Sequence, residues 1–126
     1  INEKGIGLFH WFMRQKGAIK GYTNAIWTGV TTLTLAKAME CALKSDLTGL
    51  YNLVNNTSIS KFDLLCLFNK YFRNNKLVIE PDDTLKLDKS LRNSRMDFNF
   101  VVPSYDEMIK EMKQWVDTHK ELYPVY

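Results

Sequence analysis

The chain has 126 residues, 45% hydrophobic and 25% charged, an ordinary globular composition whose length fits one domain or part of one. Its net charge of +3 comes from 17 basic and 14 acidic residues interleaved along the chain, which argues against a dedicated nucleic-acid surface. The longest apolar run is far short of the roughly 18 residues that suggest a membrane span, and the N-terminus lacks a signal-peptide profile, so the cytoplasm is the expected location.

The chain starts with Ile1 and runs within a few residues into an apolar helical pattern, so it is expected to be a fragment of a longer polypeptide. From Ile6 to about Gln15 the residues Leu8, Phe9, Trp11, Phe12 and Met13 cover a wide arc, which predicts a helix buried on more than one side and stopped at Gly17. Five large apolar residues are too many for one face of a free subdomain, so this helix is expected to expose apolar surface and to support dimerisation. A short strand is predicted over 18–22. The next stretch, GYTNAIWTGVTT, follows neither period and reads as a loop that places Trp27 beside Asn24.

An amphipathic helix is predicted from about Thr32 to Lys44, with Leu35, Ala36, Met39, Ala42 and Leu43 as its stripe and Thr31 or Thr32 as its cap. TGLYNLVNN reads as a strand of about five residues. Ser60 followed by Asp63 opens a helix whose apolar side is Leu64, Leu65, Phe68, Tyr71 and Phe72. KLVIEPD is a strand closed by Pro81, and 82–100 reads as irregular. A final helix begins at Ser104, with Glu107 completing a capping box. The expected fold class is α/β, an α+β subdomain of about four helices and three short strands. Such a layer packs beside a larger sheet.

Most chemistry-bearing patterns are missing. GIGLFH lacks the third glycine of a dinucleotide fingerprint and follows no strand. His10 and His119 have no Cys or carboxylate at metal-ligand spacing, so no metal site is expected, and Cys41 and Cys66 are expected as reduced thiols. No nucleophile elbow, phosphate loop or Tyr-x-x-x-Lys pair occurs, so no catalytic residue is assigned.

Two segments remain. In LDKSLRNSRMDF, Lys89, Arg92 and Arg95 recur every third residue among Ser and Asn, a composition suited to a diphosphate and equally to a solvated loop answering Asp82, Asp83 and Asp88. In the 21–31 loop, Trp27 either anchors the loop or offers a flat wall to a ligand.

GYTNAIWTGVTTLTLAKAMECAL, LTGLYNLVNNTSISKFDLLCLF and LDKSLRNSRMDF with PSYDEMIKEM, in that order, resemble the C-terminal, substrate-binding part of extended short-chain dehydrogenases/reductases. Within them the chain is most similar to the dTDP-4-dehydrorhamnose reductase branch. The resemblance covers nearly all of residues 1–126 as a single substrate-binding subdomain. It implies an N-terminal Rossmann domain of the same chain that holds NADPH or NADH, the catalytic Tyr and Lys, and the hydride chemistry on a 4-keto nucleotide sugar, so this chain alone is expected to be inactive. It further implies that Thr23, Asn24, Ile26, Trp27 and Gly29 line the pocket for sugar and base, while Lys89 and Arg95 meet the diphosphate. Relatives carry Arg where this chain has Lys89, which keeps the charge and loses the bidentate fork. A nucleotide-sugar epimerase or dehydratase of the same superfamily and a non-catalytic helical binding module are the alternatives.

Overall fold

The computed structural model describes residues 7–124 and residue 126. Its elements run α1 (Leu8–Met13), β1 (Ala18–Tyr22), β2 (Ala25–Trp27), α2 (Thr32–Leu43), β3 (Ile59–Ser60), α3 (Lys61–Arg73), β4 (Val78–Asp82), β5 (Leu87–Lys89) and α4 (Tyr105–Thr118). Ile6, the expected first residue of the opening helix, lies outside the described residues.

The mixed α/β class is as expected, and among the described residues there are four helices, as expected, but five strands instead of three. β1 pairs with β4 in parallel, and β2 lies between antiparallel β3 and parallel β5. β2 and β5 arise inside segments that read as loops, because strands of three residues are too short to show alternation. The strand expected over TGLYNLVNN is absent among the described residues. Its side chains bind another segment instead: Asn52 Nδ2 donates to the Arg92 carbonyl at 2.9 Å, and the Tyr51 hydroxyl accepts from Asn93 Nδ2 at 2.8 Å.

Helix starts follow their caps. Thr31 accepts from the Thr34 amide at 3.2 Å, Ser60 from the Asp63 amide at 3.0 Å, and Ser104 with Glu107 forms the full reciprocal box. Each satisfies amides that a helix N-terminus would otherwise leave unpaired. α3 ends at Asn74, whose φ of 50° lies in the left-handed region that asparagine tolerates.

The core gathers Phe12, Ile19, Ile59, Leu64, Leu65, Phe68, Leu77 and Ile109 from α1, α3, α4 and the strand regions. α3 packs on β1 so closely that a Cβ on Gly21 would lie 2.9 Å from Phe62 Cδ2. Glycine is required there by contact. Phe9 meets Phe68 and Phe72 edge-on, with centroids 5.1 and 4.6 Å apart. Such pairs add about 0.5–1.5 kcal/mol to the burial of the rings.

Two faces differ from expectation. α1 buries Phe12 completely and half-buries Leu8, Phe9 and Met13, leaving only Trp11 exposed among the five, so it presents little apolar surface to a second chain. α2 does the reverse. It turns Thr34 and Ala38 inward, while Leu35, Met39 and Leu43 are 43%, 58% and 88% exposed. Small residues let α2 approach the core closely, and the larger stripe is left without cover from the described residues.

Candidate functional site

Trp27 and Lys89 are partners in the parallel ladder of β2 and β5. The two segments left unexplained by sequence are therefore joined, and two further bonds extend the joint. The Leu87 amide donates to the Asn24 carbonyl at 3.0 Å, and the Leu91 amide to Thr28 Oγ1 at 2.8 Å. On the other edge, Ile26 pairs with Ser60 and Trp27 with Ile59 of β3.

A cavity of about 420 Å³ opens beside β2. Its walls are apolar side chains of three helices: Leu8 and Phe9 of α1, Leu64 and Phe68 of α3, and Met108, Ile109 and Met112 of α4. Trp27, Gly29, Thr31, Thr32, His10 and Tyr105 also line it. The volume lies within the range of small-molecule pockets, roughly 300–1,000 Å³, and apolar walls with a few polar groups are the usual lining of one.

The geometry at Trp27 is tight. Its indole lies over Gly29 so that a Cβ there would fall 2.0 Å from Trp27 Cζ3. Glycine is thus what allows the ring to fold back on its own turn. The Tyr105 ring stands 6.5 Å away, tilted by 47°. Desolvation pushes the Tyr105 phenol above its ordinary pKa, opposed by the Gly29 amide, so the hydroxyl is protonated near neutral pH. It donates to the Thr57 carbonyl at 2.7 Å. The other titratable lining group, His10, shares a 2.8 Å hydrogen bond with the Tyr126 hydroxyl. Both groups are engaged within the protein.

The expected site residues do not share one place. Trp27 and Gly29 line the cavity. Thr23 and Asn24 face the 82–83 turn instead: the Thr23 amide donates to the Asp82 carbonyl at 2.9 Å, and Asn24 Nδ2 to the Asp83 carbonyl at 3.3 Å. Ile26 is half-buried in the ladder between β3 and β5. Lys89 is exposed, and among the described residues it has no ion pair or hydrogen bond from its ammonium.

Arg95 is different. Its Nη1 donates to the carbonyls of Thr48 at 2.7 Å and Leu50 at 2.9 Å, and its Nε to Asp97 Oδ1 at 2.9 Å, while Nη2 pairs with Asp97 Oδ2. The hydrogen bond it donates to Asp97 holds its guanidinium pKa above the ordinary value. Four donors serve the protein, and no residue of 87–98 lines the Trp27 cavity, so Trp27 and Arg95 do not converge on it.

Sequence reasoning overlooked Tyr105. The signal was present in PSYDE, where an aromatic stands just inside a capping box, but the box reads first as a helix start. Among the described residues, no group of three or more His, Cys, Asp or Glu could hold a metal ion, and no helix is long and apolar enough to cross a membrane. Cys41 and Cys66 are both free, and burial raises the Cys66 thiol pKa.

No family model and no curated protein matches the chain. Solved structures do match in fold. The dTDP-4-dehydrorhamnose reductase of Bacillus anthracis, in complex with NADP, superposes with a TM-score of 0.70 at 17% identity, over 87% of this chain and 41% of that one. The dTDP-glucose 4,6-dehydratase of the same organism, in complex with NAD, gives 0.63 at 12% identity, over 95% and 42%. A UDP-N-acetylglucosamine 4-epimerase of Methanobrevibacter ruminantium, in complex with UDP-N-acetylmuramic acid, gives 0.63 at 16% identity, over 93% and 42%. The chain spans about two-fifths of the length of these solved relatives. Its fold is part of the fold that nucleotide-sugar reductases, dehydratases and epimerases share.

Proposed function

We propose that the chain is the substrate-binding half of an NAD(P)-dependent nucleotide-sugar enzyme acting in the cytoplasm, with reduction of a 4-keto nucleotide sugar as the preferred reaction. One observation carries the reading: the β2–β5 ladder sets the aromatic wall of an apolar cavity beside Lys89, a cation with no partner among the described residues. A base or sugar ring against Trp27 and a phosphate at Lys89 would use both. Thr23, Asn24, Ile26 and Gly29 shape the segment that carries the indole. Arg95 holds the loop that presents Lys89 and Arg92. The dehydratase and epimerase folds superpose nearly as well as the reductase, which supports either reaction as a second reading.

Hydride chemistry is assigned to no residue of this chain. A nicotinamide dinucleotide needs backbone that a pyrophosphate can approach, and at Gly29 that space is filled by the Trp27 indole. The outward stripe of Leu35, Met39 and Leu43 suits an N-terminal Rossmann domain that would hold NADPH or NADH, since an exposed apolar face of that kind marks a contact surface.

The test is a titration of the chain with thymidine and uridine diphosphates up to millimolar concentration, read by tryptophan emission, with NADPH as the comparison. Saturable binding of a nucleoside diphosphate is expected, with Lys89→Ala weakening it about tenfold, as loss of one charge-assisted contact would. NADPH is expected to give no saturable signal. Absence of nucleoside diphosphate binding, or full affinity in Lys89→Ala, would overturn the reading.

A further inference from the structure

Where the chain leaves β5, side chains take over the bonding that a neighbouring strand would provide. The Ser90 amide donates to Asp88 Oδ1 at 2.8 Å, which bends the segment at the end of the ladder, and the Leu91 amide donates to Thr28 Oγ1 at 2.8 Å. Asn52 Nδ2 then donates to the Arg92 carbonyl at 2.9 Å. Asn56 does more. Its Oδ1 accepts from the Asn93 amide at 2.7 Å and its Nδ2 donates to the Asn93 carbonyl at 3.1 Å. These are the two bonds that a paired residue of an antiparallel strand would exchange with Asn93, made here by a side-chain amide. Asn56 itself has a φ of 58°, in the left-handed region that asparagine tolerates.

The backbone around Arg92 is therefore held at its own carbonyl and at both polar groups of the next residue. Its side chain is exposed and, among the described residues, makes no hydrogen bond or ion pair. Arg95 is the opposite case, its guanidinium committed to Thr48, Leu50 and Asp97. Lys89 stands three residues before Arg92, a separation that spans at most about 10–11 Å of chain, within reach of two long side chains. We propose that Arg92 meets the phosphates beside Lys89, and that Asn56 is the positioning residue that holds it there. A guanidinium on a fixed backbone loses less freedom on binding than one on a mobile loop, and its planar fork can take two oxygens where an ammonium is a point charge. This assignment rests on the proposed reading of Lys89 as a phosphate-binding residue.

The experiment is a double-mutant cycle of Arg92→Ala and Asn56→Gly in the 126-residue chain, titrated with uridine diphosphate. Glycine keeps the positive φ at residue 56 and removes both bonds to Asn93. Arg92→Ala is expected to weaken binding about tenfold, as loss of one charge-assisted contact would, and Asn56→Gly about fivefold. In the Arg92→Ala background, Asn56→Gly is expected to add at most about twofold, because its effect passes through the guanidinium. Asn75→Gly is the control for exchanging asparagine for glycine. Asn75 also has a positive φ, of 57°, and among the described residues its side chain makes no hydrogen bond, so affinity is expected to stay that of the unsubstituted chain. Hydrogen exchange gives a reading without ligand: the Asn93 amide is expected to exchange faster in Asn56→Gly, with α3 unchanged. Full affinity in Arg92→Ala or in Asn56→Gly would overturn the proposal and leave the phosphate reading of Lys89 in place. So would an equal loss from Asn56→Gly with and without Arg92, or an unchanged Asn93 exchange. No binding of uridine diphosphate by the unsubstituted chain would remove the phosphate reading and this assignment with it.

Discussion

Asn69 and Leu77 are joined by two hydrogen bonds inside the core, Asn69 Nδ2 donating to the Leu77 carbonyl at 2.7 Å and the Leu77 amide donating to Asn69 Oδ1 at 3.2 Å. Both residues are buried. A single side chain on α3 thereby completes the backbone bonding of the residue that leads into β4, after a turn whose Asn74 and Asn75 both take positive φ. Asn69→Ala leaves a buried donor and a buried acceptor unpaired and is expected to cost about 2–3 kcal/mol. Urea unfolding followed by circular dichroism measures it, and a loss under about 0.5 kcal/mol, the range of ordinary surface substitutions, would refute the assignment.

Gly29→Ala addresses the indole directly. A methyl group there would stand 2.0 Å from Trp27 Cζ3, so the ring must leave its place. The expected outcome is a destabilisation of about 1–3 kcal/mol, as for other overpacked sites, together with a more solvent-exposed Trp27 emission. Thermal unfolding, and fluorescence of a chain in which Trp11→Phe and Trp115→Phe leave Trp27 as the sole indole, read the two effects.

Arg95→Ala should loosen a loop before it affects anything else. The guanidinium closes the 48–50 segment onto the 95–97 segment through Thr48, Leu50 and Asp97. Asn56 and Asn93 add a reciprocal pair beside it, at 3.1 and 2.7 Å. Faster amide exchange and faster proteolysis confined to residues 48–56 and 90–97 are expected, with the exchange of α3 unchanged. Wild-type exchange throughout both segments would contradict the role.

Asp106 links α4 to α3 by accepting from Lys70 Nζ and from the Tyr71 hydroxyl, each at 2.7 Å. The bond from Lys70, then that from Tyr71, holds its carboxyl below the ordinary pKa. A carboxylate lowered in the folded state contributes stability above its unfolded pKa, about 3.9, and that contribution is lost as pH falls through the lowered folded value. Asp106→Asn should therefore reduce the difference in stability between neutral and strongly acidic solution. Melting temperatures from pH 7 down to pH 2 in both chains would show it, and parallel profiles would count against the link.

Much of the helical frame is legible in the amino-acid order because its signals are local. Thr31, Ser60 and Ser104 each cap the helix that the pattern around them predicts, within a few residues of chain. The strands were harder, since Ala25–Trp27 and Leu87–Lys89 are too short to alternate and owe their form to each other. Neither the outward stripe of α2 nor the role of Arg95 could be read locally. The face a helix buries depends on what covers it, and Arg95 looks like Lys89 and Arg92 until carbonyls 45 and 47 positions away are found to hold it. Trp27 and Gly29 line a cavity, and the reason for the glycine is a contact that only the folded ring reveals.

The pairing of β1 with β4 also dictates the order in which this chain can form. Ala18 meets Val78 and Tyr22 meets Asp82, so every rung of that ladder joins residues sixty positions apart (78 less 18). Closing so long a loop costs chain entropy before any rung returns it, which slows folding relative to local helical contacts. On a ribosome, the first strand must wait until residue 82 has emerged before it finds its partner. In that interval Phe9, Phe12 and Ile19 lack the residues of α3 and β4 that later enclose them, and the nascent chain presents the hydrophobic segment 8–19 to whatever binds such segments.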